Sequence, residues 1–288
     1  MKTIIVLTDF SDNAASAAQY ALHLAKKVNA NLLLCNTFPV HAQMPAAYAF
    51  GWPAEEYNVL NAESTTGLNE LKKLLDDQVD GARLNNGHHP KINILSFGGD
   101  INEAVNEAAR QTEVNLVVAG MHNKDLLSGI LLENHVNSLI NSLNYPLLLI
   151  PPDYHFEPIK KVGFATDMHV VENDMKALEK LTSLIRPLFS EILLTNVDNE
   201  GVQDIEFMHW KAGILKDITD KLDYPYFDYS VLRSQSIENG LNYLCEHNGI
   251  AMLAMIHHRH SFLDRIFKRS YSKKMAEKIN IPLMIFPE

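Results

Sequence analysis

The chain has 288 residues, 47% of them hydrophobic and 21% charged, with a formal net charge of −10. That length exceeds the usual single-domain range of about 100–200 residues and suits two domains. The acidic balance excludes a surface given over to nucleic acid, which needs a basic face to displace counterions, and no run approaches the roughly 18 apolar residues that span a bilayer.

The opening Met1-Lys2-Thr3-Ile4 has neither the charged region nor the long apolar region of a signal peptide, so a cytoplasmic protein is expected. Short β-branched runs then alternate with amphipathic helical patterns. IIVLT is followed by a helix over Asn13 to Val28, NLLLCNT by a helix over Ala54 to Val79, and INILSF by a helix over Ile101 to Gln111. NLVVAG, a helix over Val136 to Leu143 and PLLLI complete the set. Strands apolar on both faces that alternate with helices predict a parallel sheet covered by helices. Cys35 falls in a strand and Cys245 in a helix, a placement that gives no disulfide framework.

The same unit is then written a second time. Lys2 to Asp9 (KTIIVLTD) returns as Lys161 to Asp167 (KVGFATD), and Tyr145 to Ile150 (YPLLLI) as Ile281 to Phe286 (IPLMIF). Asp9 and Asp167 lie 158 positions apart, whereas Ile101 and Ile237, Asn134 and Ser270, and Pro146 and Pro282 are each 136 apart. The second copy is therefore shorter by about 22 residues, and the missing stretch corresponds to the aromatic-rich Phe38 to Trp52 segment. Domains are expected at 1–152 and 156–288.

Each copy thus predicts a five-stranded, doubly wound parallel sheet of the Rossmann-like α/β class, and the two copies predict an internal pseudo-dimer related by a pseudo-two-fold axis. The terminal strands, with Pro146 and Pro282 at their starts, are apolar edges that need pairing. In such sheets ligands bind beyond the carboxyl ends of the strands, where the strand order reverses. The candidate positions are Asp9, Thr37 and Gly120 in the first copy, and Asp167, Val197 and Ile256 in the second.

The chain resembles the universal stress protein family in its tandem form, over essentially all of both copies. The residues that carry this are Thr8-Asp9-Phe10-Ser11, Gly98-Gly99-Asp100, Leu116-Val117-Val118-Ala119-Gly120 and Tyr145-Pro146-Leu147-Leu148-Leu149. The resemblance implies an adenine nucleotide alpha hydrolase-like fold. It also implies, for the family's nucleotide-binding branch, a G-x2-G-x9-G-[ST] motif running from the fourth strand into the last helix. Glycines there let the backbone approach phosphates, and the helix start offers free N–H groups.

In the first copy the aligned positions are Gly120, Asn123, Glu133 and Asn134, so only the first glycine is kept and a carboxylate stands in the phosphate cradle. In the second they are Ile256, Arg259, Arg269 and Ser270: the charge suits an anion, but bulky cations replace small residues. The resemblance places Asp9 near an adenosine. ATP or another adenine nucleotide is therefore a candidate ligand of degenerate sites, and no cofactor is certain.

Asp9 and Asp167 either contact a ribose or base, or hydrogen-bond the turn into the helix that follows. The run His257-His258-Arg259-His260 suits an anion or a solvated loop; no Cys or carboxylate lies at ligand spacing, so no metal site is expected. His88-His89 follows Asn85-Asn86-Gly87 and reads as a surface loop. Lys268, Arg269, Lys273 and Lys274 gather at the start of the last helix, the end where cations are disfavoured. An acidic protein or a small anionic ligand would neutralise them; a solvated face is the alternative. The segment with Tyr48, Phe50 and Trp52 is expected to pack rather than run free. With no G-x-S-x-G, H-E-x-x-H or Walker loop, the expectation is a stress-response binding or signalling module without catalytic residues, with no nucleic acid or membrane partner. The alternative is an adenine-nucleotide-binding protein with slow ATPase activity.

Overall fold

In a computed structural model of the chain, residues 2–40, 52–80, 88–121, 139, 143–166, 172–198, 205–257 and 280–287 are described. The chain divides into two compact units, Met1–His155 and Phe156–Glu288.

The first unit runs β1 (Lys2–Leu7), α1 (Asp12–Val28), β2 (Asn31–Phe38), α2 (Trp52–Asp80), β3 (Ile92–Gly98), α3 (Ile101–Gln111), β4 (Glu113–Gly120) and β5 (Leu147–Ile150). All its strands are parallel, in the order β3-β2-β1-β4-β5. The central strands are apolar on both faces because helices cover both: Ile4, Ile5 and Val6 are fully buried. Complete burial of each such side chain stabilises the fold by about 1.5–3 kcal/mol. Helix α1 lays a small-residue stripe, Ala14, Ala17, Ala18, Ala21 and Ala25, on the sheet. It ends at Asn29, which is left-handed (φ 55°) and returns its N–H to the Ala25 carbonyl. The long α2 buries Leu68, Leu71, Leu75 and Val79 and meets α1 where Lys26 donates to the Gln78 carbonyl at 3.3 Å. The Gly98-Gly99-Asp100 turn forms with Gly99 at φ 142°, and Asp100 caps α3 by accepting from the Asn102 N–H at 2.7 Å. Of the last helical pattern in this unit, Leu139 and Leu143 are described; both are buried, and the Leu143 N–H donates to the Leu139 carbonyl at 2.9 Å.

The second unit repeats the plan: β6 (Lys161–Ala165), α4 (Glu172–Ile185), a 3₁₀ turn (Arg186–Leu188), β7 (Glu191–Asp198), α5 (Ile205–Leu222), β8 (Phe227–Arg233), α6 (Ile237–His247), β9 (Met252–His257) and β10 (Leu283–Pro287). Its parallel strands lie in the order β10-β9-β6-β7-β8, the same arrangement as in the first unit. Ser236 caps α6 where Asp100 caps α3, accepting from the Asn239 N–H at 3.2 Å. At the amino-terminal edge, buried Tyr224 donates to the Ser190 carbonyl, and the Ser190 hydroxyl to the Ile159 carbonyl. The Arg186 guanidinium lies over the Tyr224 ring and donates to the Leu222 and Asp223 carbonyls, closing the end of α5. Pro146 and Pro282 sit ahead of β5 and β10, where their carbonyls accept from Val117 and Leu253 at 2.9 Å and their missing N–H costs nothing.

Candidate functional site

In the first unit the strand order reverses between β1 and β4, so the crevice lies beyond Leu7 and Gly120. The chain leaves β1 through Thr8, Asp9, Phe10 and Ser11 and enters α1. Buried Thr8 holds the exit in three ways. Its N–H donates to the Cys35 carbonyl at 2.9 Å, its carbonyl accepts from Asn36 Nδ2 at 2.7 Å, and its Oγ1 accepts from the Phe10 N–H at 3.0 Å. Phe10 is thereby fixed in the left-handed region at φ 65°, a costly conformation for a bulky residue.

Asp9 makes the local turn. Its Oδ1 accepts from the Ser11 N–H at 3.1 Å and the Ser11 hydroxyl at 2.6 Å, while Ser11 Oγ accepts from the Ala14 N–H at 3.2 Å. A relay therefore runs from the free amides of α1 to the carboxylate. Of the two roles open to Asp9 in the sequence, the turn is the one this geometry displays. The positive end of α1 consequently already faces two carboxylates, Asp9 and Asp12. A phosphate brought there meets like charge, at about 1 kcal/mol per pair at 4 Å even in bulk water.

Gly120 ends β4 and is buried. A Cβ built on it would lie 2.7 Å from the Asn13 carbonyl oxygen, 2.9 Å from the Asn13 carbonyl carbon and 3.2 Å from the Ala14 nitrogen. The missing side chain thus makes room for the first turn of α1. Thr37 is half-buried on β2, in register with Phe97 of β3. In the second unit Val197 is half-buried on β7 and packs on α6, where a Cβ on Gly240 would meet its Cγ1 at 2.6 Å. Asn123, Asn134, Asp167, Arg259, Arg269 and Ser270 lie outside the described residues, as do Glu133, His258, His260 and the lysines of the basic patch.

On the flank of the crevice, Phe38 is buried edge-to-face against Tyr57 at 5.4 Å, and a Cβ on Gly98 would strike Tyr57, Val40 and Phe38 within 3.0 Å. Phe38, the last residue of β2, is thus packed; Tyr48, Phe50 and the side chain of Trp52, on which the expectation of a packed segment rests, are outside the described residues. His88 donates Nε2–H to the Ala30 carbonyl at 3.0 Å, and His89 is exposed. Burial pushes the Cys35 thiol up to about 12, and burial together with neighbouring Glu246 does the same for Cys245.

Asn36 was not among the residues singled out from the sequence, yet it touches the exit of β1 directly. Its counterpart is Asn196, whose Nδ2 donates to the Thr166 carbonyl at 3.3 Å, while the Thr166 N–H donates to the Thr195 carbonyl at 2.9 Å. The signal was available: LLLCNT and ILLTNV align at a spacing of 160.

The model of the universal stress protein family matches residues 1–151, just over half of the chain. The chain belongs to the universal stress protein family. Universal stress protein Slr1230 of Synechocystis sp. is 25% identical over 99% of this chain and 100% of its own length, so the family likeness extends through the second unit. The crystal structure of a universal stress protein from Archaeoglobus fulgidus is 12% identical with a TM-score of 0.65, over 99% of this chain and 96% of that one. The cytoplasmic domain of a prokaryotic cation chloride cotransporter is 8% identical with a TM-score of 0.54, over 99% and 93%. The last two likenesses speak to the fold alone, and a fold so widely reused does not assign a function to this universal stress protein. Among the described residues no helix is long and apolar enough to cross a membrane.

Proposed function

We propose that this universal stress protein works as a binding or signalling module in the stress response and does not hold a triphosphate in the manner of the family's nucleotide-binding branch. The observation that carries this reading is Gly120. The one glycine retained from that branch's motif lies against α1 so closely that a Cβ on it would stand 2.7 Å from the Asn13 carbonyl oxygen, and the helix start beside it bears Asp9 and Asp12. Glu133 in the motif, known from the sequence, adds a further carboxylate.

The test is thermal unfolding with about 1 mM ATP, ADP or AMP, with and without magnesium, against nucleotide-free controls. A ligand with a dissociation constant near 10 μM would add about 2.7 kcal/mol, a rise of about 5–10 °C for a unit of this size. The expected result is no shift with any of the three. A shift with ATP, or steady hydrolysis by the purified protein that Asp9→Ala abolishes, overturns the reading and makes the crevice an adenine nucleotide site.

A further inference from the structure

The strand exit in each unit is held by the same side-chain bond. In the first unit Asn36 Nδ2 donates to the Thr8 carbonyl at 2.7 Å; in the second Asn196 Nδ2 donates to the Thr166 carbonyl at 3.3 Å. Just before it, the last main-chain rung is also shared: Thr8 N–H to Cys35 and Thr166 N–H to Thr195, both at 2.9 Å. In a parallel ladder the next donor to the Thr8 carbonyl would be a main-chain N–H of β2. The amide of Asn36 takes that carbonyl instead. β1 is therefore released from β2 at Thr8, and the chain beyond is free to turn into the crevice while its carbonyl stays satisfied.

The segment released in this way carries a deliberate cost. Phe10 is left-handed at φ 65° and 44% exposed, and its ring is received by a glycine inside helix α2. A Cβ on Gly67 would fall within 2.8 Å of the ring's Cε1 and Cζ. A left-handed bulky residue costs about 1–3 kcal/mol and a glycine inside a helix about 1 kcal/mol. Both are kept at the mouth of the crevice, where strain persists only when its surroundings over-determine it. Thr8 supplies that determination, and Asn36 anchors Thr8.

We propose that Asn36 is a positioning residue which, through Thr8, holds the Asp9–Phe10 turn clear of the ladder, so that Asp9 closes onto Ser11 and the Phe10 ring seats on Gly67 and together they shape the mouth of the crevice, and that Asn196 holds the exit of β6 through Thr166 in the same way. This rests on reading the crevice as a binding site, and it adds the element that shapes it.

The test uses the full chain with Asn36→Asp, which keeps the shape of the side chain but cannot donate to a carbonyl. Site-resolved amide hydrogen exchange is followed together with the resonances of Gly67, one of whose Hα atoms points along the Cβ direction at the Phe10 ring and carries its ring-current displacement. The expected result is exchange about tenfold faster at Phe10 and Ser11 than in the parent, the size of one lost hydrogen bond, with Ile5 and Leu34 unchanged. The Gly67 Hα displacement shrinks toward that of a Phe10→Leu control. Asn196→Asp should accelerate Thr166 in the same way and leave Phe10 untouched. Should Asn36→Asp fail to fold, Asn36→Ala carries the same expectations. Uniformly faster exchange throughout the unit, or a folded variant with Phe10, Ser11 and Gly67 all unmoved, overturns the inference. Neither outcome bears on the nucleotide unfolding test, so the positioning role and the functional reading fail separately.

Discussion

Gly120→Ala separates a glycine kept for packing from one kept for a ligand. The added methyl would stand 2.7 Å from the Asn13 carbonyl oxygen and 2.9 Å from its carbon, and these are main-chain atoms that no rotamer change can move aside. Over-packing of this kind costs about 1–3 kcal/mol; the upper half of that range applies, because the first turn of α1 must shift against a sheet on which five alanines already rest. A loss of about 2–3 kcal/mol lowers the unfolding midpoint by about 4–12 °C for a unit of roughly 150 residues. Each unit carries one tryptophan, Trp52 in the first and Trp210 in the second. Unfolding of a Trp210→Phe background, followed by fluorescence, therefore reports the first unit alone. If Gly120→Ala leaves that midpoint within about a degree of the parent, the packing account is refuted and the glycine must be kept for something outside the chain.

Two further outcomes follow from the same geometry. Gly67→Ala should destabilise the first unit despite the gain of about 1 kcal/mol in helix propensity, because its methyl meets the Phe10 ring at 2.8 Å. Paired with Phe10→Ala the same change should become stabilising, and a double-mutant cycle in urea should show a coupling above about 0.5 kcal/mol. The Cys35 thiol, buried and raised from 9.0 to about 12, predicts a pH dependence. Between those values the unfolded thiol has lost its proton and the folded one has not, so stability falls as pH rises above 9, by about 1.4 kcal/mol per unit. Denaturant midpoints from pH 8 to 10.5 should decline more steeply for the parent than for Cys35→Ala.

Much of this was legible in the sequence because the signals are local. IIVLT and NLVVAG are apolar on both faces, which only a covered parallel strand tolerates, and they became β1 and β4. The helices expected over Asn13 to Val28 and Ile101 to Gln111 form as Asp12–Val28 and Ile101–Gln111; Ser11 and Asp100, each satisfying a free amide at a helix start, are caps the structure adds. The expected helix over Ala54 to Val79 appears as Trp52–Asp80. What residue type does not report is which neighbour it serves. A glycine at the end of β4 invites a phosphate and a helix backbone equally, and only the path of α1 shows that the helix has taken the space. Asn36 read as one more strand residue, because a side chain that replaces a ladder rung leaves no periodicity; only its return as Asn196 marks it.

The two units also part company at one position, and that difference bears on function. Where the first unit has Gly120 beside Ile150, the second has Ile256 beside Phe286, in the same register and buried. In the first unit the first turn of α1 fills the space over Gly120; in the second the same strand position carries a side chain that is itself buried. The two strand ends therefore differ in what they carry, a glycine backed by α1 in the first unit and a buried isoleucine in the second. Ile256→Ala should therefore cost the second unit about 2–5 kcal/mol as a cavity, the reverse of the over-packing expected from Gly120→Ala in the first. The check is unfolding monitored by Trp210 in a Trp52→Phe background. A neutral Ile256→Ala would mean that the second crevice is open enough to absorb the loss, and the contrast drawn between the two units would be wrong.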